Sequence, residues 1–221
     1  MPDNPDVRYL YAGDCGLTVE FGNQISPELH LKVTRLLSAL DQKPIPGILD
    51  LIPAYRSLHI QYDPLIIPPE LLIQQIRAVQ TSAQEIKSSV PRTVKVPVVY
   101  GGQAGPDLES LAEHHHLTAQ EVIRIHSEAD YLVYMIGFTP GFAYLGGMPE
   151  RIATPRLKTP RLNVPAGSVG IAGAQTGIYP VQSPSGWHII GRTALKLFNP
   201  ADNPPSLLRP GDRVRFIPAP E

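Results

Sequence analysis

A single cysteine, Cys15, stands in the whole chain, so no disulfide can close within it and no metal site of several thiolates can exist. That usage fits a reducing cytosol, and Cys15 itself reads as a small apolar residue held in the interior. There is no run of about 18 consecutive apolar residues for a membrane helix. The opening MPDNPDVRYL lacks the basic stretch and apolar run of an export signal, so the chain reads as soluble, unexported and cytoplasmic. No charge of one sign prevails either. The 19 Lys and Arg against 20 Asp and Glu leave −1, too little field to grip a nucleic-acid backbone. Also missing are the G-x-x-x-x-G-K-[ST] loop of P-loop nucleotide binding and the G-x-S-x-G elbow of serine hydrolases, a setting that neither Ser168 nor Ser183 occupies.

Proline and glycine, by contrast, are plentiful, and they concentrate between residues 137 and 193, which hold ten glycines and seven prolines. Both are unfavourable inside helices, so this segment is predicted to form short strands and tight turns. It also holds five basic residues (Arg151, Arg156, Lys158, Arg161, Arg192) against Glu150, a local charge of +4 within a chain of −1. That imbalance suits a small anion.

At 221 residues the chain is long enough for one large domain or two small ones. Residues 7–11 and 17–21 read as strands joined by a turn at Gly13, Asp14 and Gly16. Ser26 offers an N-cap and Pro27 a first helical position, after which Leu29, Val33, Leu36, Leu37 and Leu40 recur at helical spacing. Strands over 48–52 and 55–62 follow, then a helix opening at Pro68 or Pro69, then a strand over 93–100. The order β-α-β-β-α-β is that of a ferredoxin-like α/β sandwich. Residues 82–91 are polar and read as a linker, dividing the chain into 1–90 and 91–221, with the 93–100 strand able to serve either side. Beyond it come a helix over 107–115, a Thr118-x-x-Glu121 capping box opening another through His126, and a strand over 131–136. Short apolar runs at 168–172, 187–190, 195–198 and 214–217 between glycine and proline turns make the second half mainly β.

Gly137 to Gly147 interleaves small residues with rings, so that Phe138, Phe142 and Tyr144, with Trp187 further on, read either as the wall of a pocket or as a tight barrel corner. Two Pro-Arg-Leu units put Arg156 and Arg161 five residues apart on a stiff loop, a paired clamp for carboxylate or phosphate, or else solvated surface arginines. Arg192 adds to the basic side. The turns around Gly167-Ser168 and Gly173-Ala174-Gln175-Thr176 supply backbone N–H groups and polar tips suited to an anion nest. Gly101-Gly102-Gln103-Ala104-Gly105 is glycine-rich without a lysine and reads as a turn. His114-His115-His116 reads as a solvated helix end, because adjacent helical residues diverge and cannot jointly hold a metal; no metal site is predicted. His126 is the acid/base candidate.

The ordered series Gly137-Phe138-x-Pro140-Gly141-Phe142-x-Tyr144-Leu145, Pro155-Arg156, Pro160-Arg161, Val164-Pro165-Ala166-Gly167-Ser168-Val169, Ile171-Ala172-Gly173, Gln175-Thr176-Gly177-Ile178-Tyr179-Pro180 and Gly186-Trp187-x-Ile189-Ile190-Gly191-Arg192-Thr193 resembles the B-subunit family of prokaryotic 5-oxoprolinase. That family includes an inhibitor of a sporulation histidine kinase and proteins labelled allophanate hydrolase subunit 1. Tyr100-Gly101-Gly102, His126 and Pro210-Gly211-Asp212 extend the likeness over nearly the whole chain. One departure is Ser185, where the family usually has glycine before Gly186-Trp187. The resemblance implies a small N-terminal α/β domain and a C-terminal cyclophilin-like β-barrel. It also implies work in a hetero-oligomer with subunits A and C, cleaving the lactam of 5-oxoproline to L-glutamate with ATP hydrolysis. On that reading Arg156 and Arg161 hold carboxylate or phosphate, the Gly167 and Gly173 turns meet developing negative charge, and His126 carries a proton. ATP is bound by the complex. The alternatives are a barrel that docks on a histidine kinase, and a component of carboxyl transfer related to urea carboxylase.

Overall fold

Ser26 opens the first helix by accepting the N–H of Leu29 at 3.2 Å, with Pro27 next to it, in the computed structural model, which describes residues 7–83 and 92–220. The chain divides into two units, 1–90 and 91–221, each with its own hydrophobic core. The part of the expected 82–91 linker from residue 84 onward lies outside the described residues.

The first unit runs β1 (Arg8–Tyr11), β2 (Gly16–Glu20), α1 (Pro27–Gln42), β3 (Ile48–Pro53), β4 (Ser57–Tyr62) and α2 (Pro69–Ala83). Its four strands pair antiparallel in the order β1-β2-β4-β3. Alternation in β4 buries Leu58, Ile60 and Tyr62 against Val33, Leu36 and Leu72 of the helices. The observed order is β-β-α-β-β-α. The ferredoxin-like order, with a last strand after the second helix, is not the one this unit has, because the place beside β2 is taken by β1. Its hairpin closes locally through Gly13 at φ +67, a turn of few residues and small closure entropy. Cys15 lies at that turn and is exposed, not interior as expected.

The strand at 93–100 belongs to the second unit. Here β5 (Thr93–Tyr100), α3 (Leu108–His114), α4 (Ala119–Glu128), β6 (Tyr131–Ile136), β7 (Ala143–Gly146), β8 (Arg161–Val164), β9 (Ser168–Ala172), β10 (Gln175–Ile178), β11 (Ser183–Ser185), β12 (His188–Arg192) and β13 (Arg213–Pro218) follow in turn. Seven of the strands close a barrel in the order β10-β7-β6-β13-β5-β12-β9, and β8 pairs with β11 apart from it. The first and last strands, β5 and β13, run parallel in register from Arg213 opposite Thr93 to Pro218 opposite Val98, so the two ends of the unit are joined by a ladder. Val96, Val98, Val133, Ile171 and Phe216 fill the interior. The run at 195–198 forms no regular strand; only Phe198 makes a bridge, to Ser206. The capping box is present, with Thr118 accepting from the Glu121 N–H and the Glu121 carboxylate accepting from the Thr118 N–H at 2.8 Å. Among the described residues no helix is long and apolar enough to cross a membrane.

Candidate functional site

The glycine-rich run between β6 and β7 brings Phe142 into the middle of five rings. Tyr144, Tyr179, Trp187 and Phe138 approach it edge-on with centroids 5.1, 5.3, 5.7 and 5.7 Å away, the geometry that aromatic quadrupoles favour. Gly177 of β10 lets the rings lie on the strand, because a Cβ there would stand 2.9 Å from Phe142 and 3.2 Å from Trp187. Ser185, where the resemblance leads us to expect glycine, is held there through its hydroxyl. It accepts the Trp187 N–H at 2.9 Å and hydrogen-bonds the Tyr179 hydroxyl, and its φ is not positive. Burial pushes the Tyr179 phenol up to about 12. Phe142 and Trp187 are buried, so these two wall residues are packing, whereas Phe138 and the half-buried Tyr144 reach the rim.

Phe138 is strained. Its φ is +64, and Thr139 N–H donates to Gly137 C=O at 2.8 Å across it, a γ-turn of the disfavoured hand. Hydrogen bonds from Phe142 N–H to Thr139 C=O and from Gly137 N–H to Phe142 C=O, each 3.0 Å, lock the turn. The residue is 65% exposed.

His126, on the last turn of α4, is fully buried among Tyr131 and Phe216. Thr176 gives its one proton to Gly170 C=O at 3.0 Å, so it must accept from His126 Nε2–H at 2.9 Å; Nδ1 is then the acceptor of the Tyr100 O–H at 2.7 Å. Burial pulls the imidazole pKa down to about 3 and pushes the Tyr100 phenol up. The ring is a neutral cross-link between α4, β5 and β10. With no exposed surface and both nitrogens engaged, it lacks the access a proton carrier needs.

The paired clamp does not form. Arg161 donates to Asp107 Oδ1 at 2.5 Å, while Asp107 Oδ2 accepts the Ile189 N–H at 2.6 Å and so anchors the loop before α3 to β12. Arg156 is exposed and holds no hydrogen bond or ion pair among the described residues. The nests fail as well, since Gly167 N–H donates to Tyr179 C=O and Gly173 N–H to Thr154 C=O, both at 2.7 Å. Ser168 is buried in β9 and Thr176 is bound to His126; Gln175, half-buried, begins β10. Of the histidine run, His114 and His116 are exposed and His115 bonds Thr154 Oγ1 at 2.8 Å; no group of His, Cys, Asp or Glu among the described residues is placed to hold a metal.

Arg192 keeps the expected role open. Its Nε–H donates to Ala166 C=O at 2.9 Å, which fixes the guanidinium at a cleft of about 560 Å³ lined also by Gly167, Thr193 and Lys196. The lining carries two cations and no acid. Close approach of Gly167 shapes this wall: at φ +83 an added Cβ would lie 2.1 Å from Thr193 O.

The model of the carboxyltransferase domain, subdomain C and D, matches residues 7–208. The 5-oxoprolinase B subunit of Bacillus subtilis (strain 168) is 42% identical over 223 residues, covering 96% of this chain and 93% of the relative. That of Escherichia coli O157:H7 is 41% identical and covers 97% of both. The chain belongs to the family of 5-oxoprolinase B subunits.

Among solved structures, this member of the family superposes on TTHA0988 with a TM-score of 0.83 at 37% identity, covering 93% of this chain but only 40% of that longer one. A conserved uncharacterized protein of Pyrococcus horikoshii matches at 47% identity and a TM-score of 0.58, over 97% and 98% of the two chains. The urea carboxylase of Kluyveromyces lactis, 21% identical with a TM-score of 0.74, shares the fold over 97% of this chain and 22% of its own. Sequence reasoning in this family member missed Asp107, Lys196 and Tyr179. Asp107 carried a signal, an acid following Gly105-Pro106 at a helix start, yet the side chain accepts from Arg161 and β12 and makes no cap. Lys196 and Tyr179 carried none apart from their neighbourhood.

Proposed function

We propose that this chain is a subunit of an ATP-dependent 5-oxoprolinase that opens the 5-oxoproline lactam to L-glutamate together with subunits A and C, and that its second unit is a barrel of the cyclophilin-like kind. One observation carries this reading: two bacterial 5-oxoprolinase B subunits are 41–42% identical to it over almost their full length. The substrate is a small carboxylate, and the Arg192–Lys196 cleft offers two cations with no competing acid. A lactam amide is a poor electrophile, and phosphorylation of its oxygen by ATP supplies the leaving group. This chain's glycine turns do not suit ATP phosphates. Gly101, Gly105, Gly167 and Gly173 each give their N–H to a backbone carbonyl, which supports a reading in which a partner subunit of the complex binds ATP.

The test is co-expression with the partner subunits and measurement of glutamate release from 5-oxoproline, omitting each subunit in turn. Loss of activity when this chain is left out is expected. Turnover by the remaining subunits alone would refute the assignment.

A further inference from the structure

Phe138 is held with a strained backbone and with most of its surface left in water. A φ of +64 is unfavourable for any residue with a Cβ, and least expected for a bulky one between two glycine-containing turns that could have supplied glycine instead. The residue is 65% exposed, and among the described residues its ring meets one aromatic neighbour, Phe142. The turn is over-determined from below: three backbone hydrogen bonds fix residues 137–142, and Gly141 at φ +81 sits so close to Phe198 that an added Cβ would be 2.6 Å from it. Structure elsewhere is thus used to hold a phenyl ring out in the solvent. Two cations beside the aromatic cluster of Phe142 are left without an ion pair, while the acid that touches it, Asp107, is already paired with Arg161. Arg156 acts on Tyr179, Lys158 is exposed on the same loop, and neither makes an ion pair among the described residues.

We infer that Phe138 is the anchor of a protein–protein interface, seated in an apolar pocket bordered by carboxylates on the companion subunit. This rests on the reading of the chain as part of a multi-subunit 5-oxoprolinase. Two observations select that occupant. The basic rim calls for acidic complementarity. In TTHA0988, 37% identical, the same fold fills only 40% of the chain, so there it is covalently joined to further sequence. A rigid aromatic presented on a locked turn loses little freedom on binding, the property of interface hot spots.

The reconstituted complex supplies the test, read by co-purification and by titration of labelled chain with companion subunits. Phe138→Gly removes both the ring and the strain. The expected result is a higher thermal midpoint for the isolated chain together with at least about tenfold weaker association. A ring with a merely structural role would lower the midpoint instead. Phe138→Leu keeps the strain and loses the ring, and is expected to weaken association without raising the midpoint, while Phe138→Tyr restores it. Arg156→Glu with Lys158→Glu should weaken association and flatten its salt dependence. Unchanged association of Phe138→Gly beside an assembling wild type overturns the anchor alone. Failure of the wild type to assemble overturns the subunit reading as well. Self-association that Phe138→Gly abolishes would make the occupant a second copy, and the proposal wrong.

Discussion

His126 is neutral because its surroundings leave no water to solvate a charge, and its two nitrogens face a phenol that donates and a threonine that accepts. Truncating it removes the ring from a packed interior and leaves both hydroxyls without their partner. His126→Ala should cost about 3–5 kcal/mol in urea unfolding, followed by fluorescence of Trp187, the chain's single tryptophan, which lies in the same unit. The pH dependence has a definite sign. The imidazole pKa is near 3 folded and about 6.5 unfolded, so below about 6.5 the unfolded chain takes up a proton that the folded one refuses. Stability from this residue is complete above that value and falls by up to about 1.4 kcal/mol per pH unit down to about 3. His126→Gln should flatten the stability profile between pH 6 and 4, and an unchanged slope would place the acid sensitivity elsewhere.

At the scale of elements, Asp107 is the joint. One oxygen accepts from the backbone of β12 and the other from Arg161 of β8, so a single carboxylate ties the loop before α3 to two strands. Asp107→Ala strips the acceptor from a buried N–H and strands a partly buried guanidinium whose Nη1 already has no partner among the described residues. The cost should be about 2–3 kcal/mol. Arg161→Ala leaves Asp107 still bonded to Ile189 and, being part of a half-exposed pair, should cost clearly less, about 1 kcal/mol. Equal losses in thermal or urea denaturation would contradict this division. Local signals were legible in other elements: the Ser26 cap and the Thr118-x-x-Glu121 box depend on residues a few positions apart, and both form as expected. The origin of the fourth strand in the first sheet was not legible, because β1 and the 93–100 strand have equal claims by pattern, and only closure of the barrel withdraws the latter.

For the whole molecule, a chain of −1 concentrates its positive charge in the unit that carries the candidate site. In the complex, the double change Arg192→Ala and Lys196→Ala should raise KM for the carboxylate substrate about tenfold to a hundredfold through lost charge-assisted hydrogen bonds, with the thermal midpoint little changed since both side chains are exposed. An unaltered KM would move the anion site off this cleft. The sequence by itself determined the capped helices, the division near residue 90, the turn-rich basic segment and, through its ordered motifs, the family. These depend on short-range chemistry or direct likeness. Only the tertiary structure decided which of those basic and polar groups remain available. Arg161 meets Asp107 54 positions away, Gly167 and Gly173 give their N–H groups to distant carbonyls, His126 is sealed between a helix and two strands, and Phe138 is left outside. A residue's partners in a closed barrel are set by which strands lie side by side, and no local spacing records that.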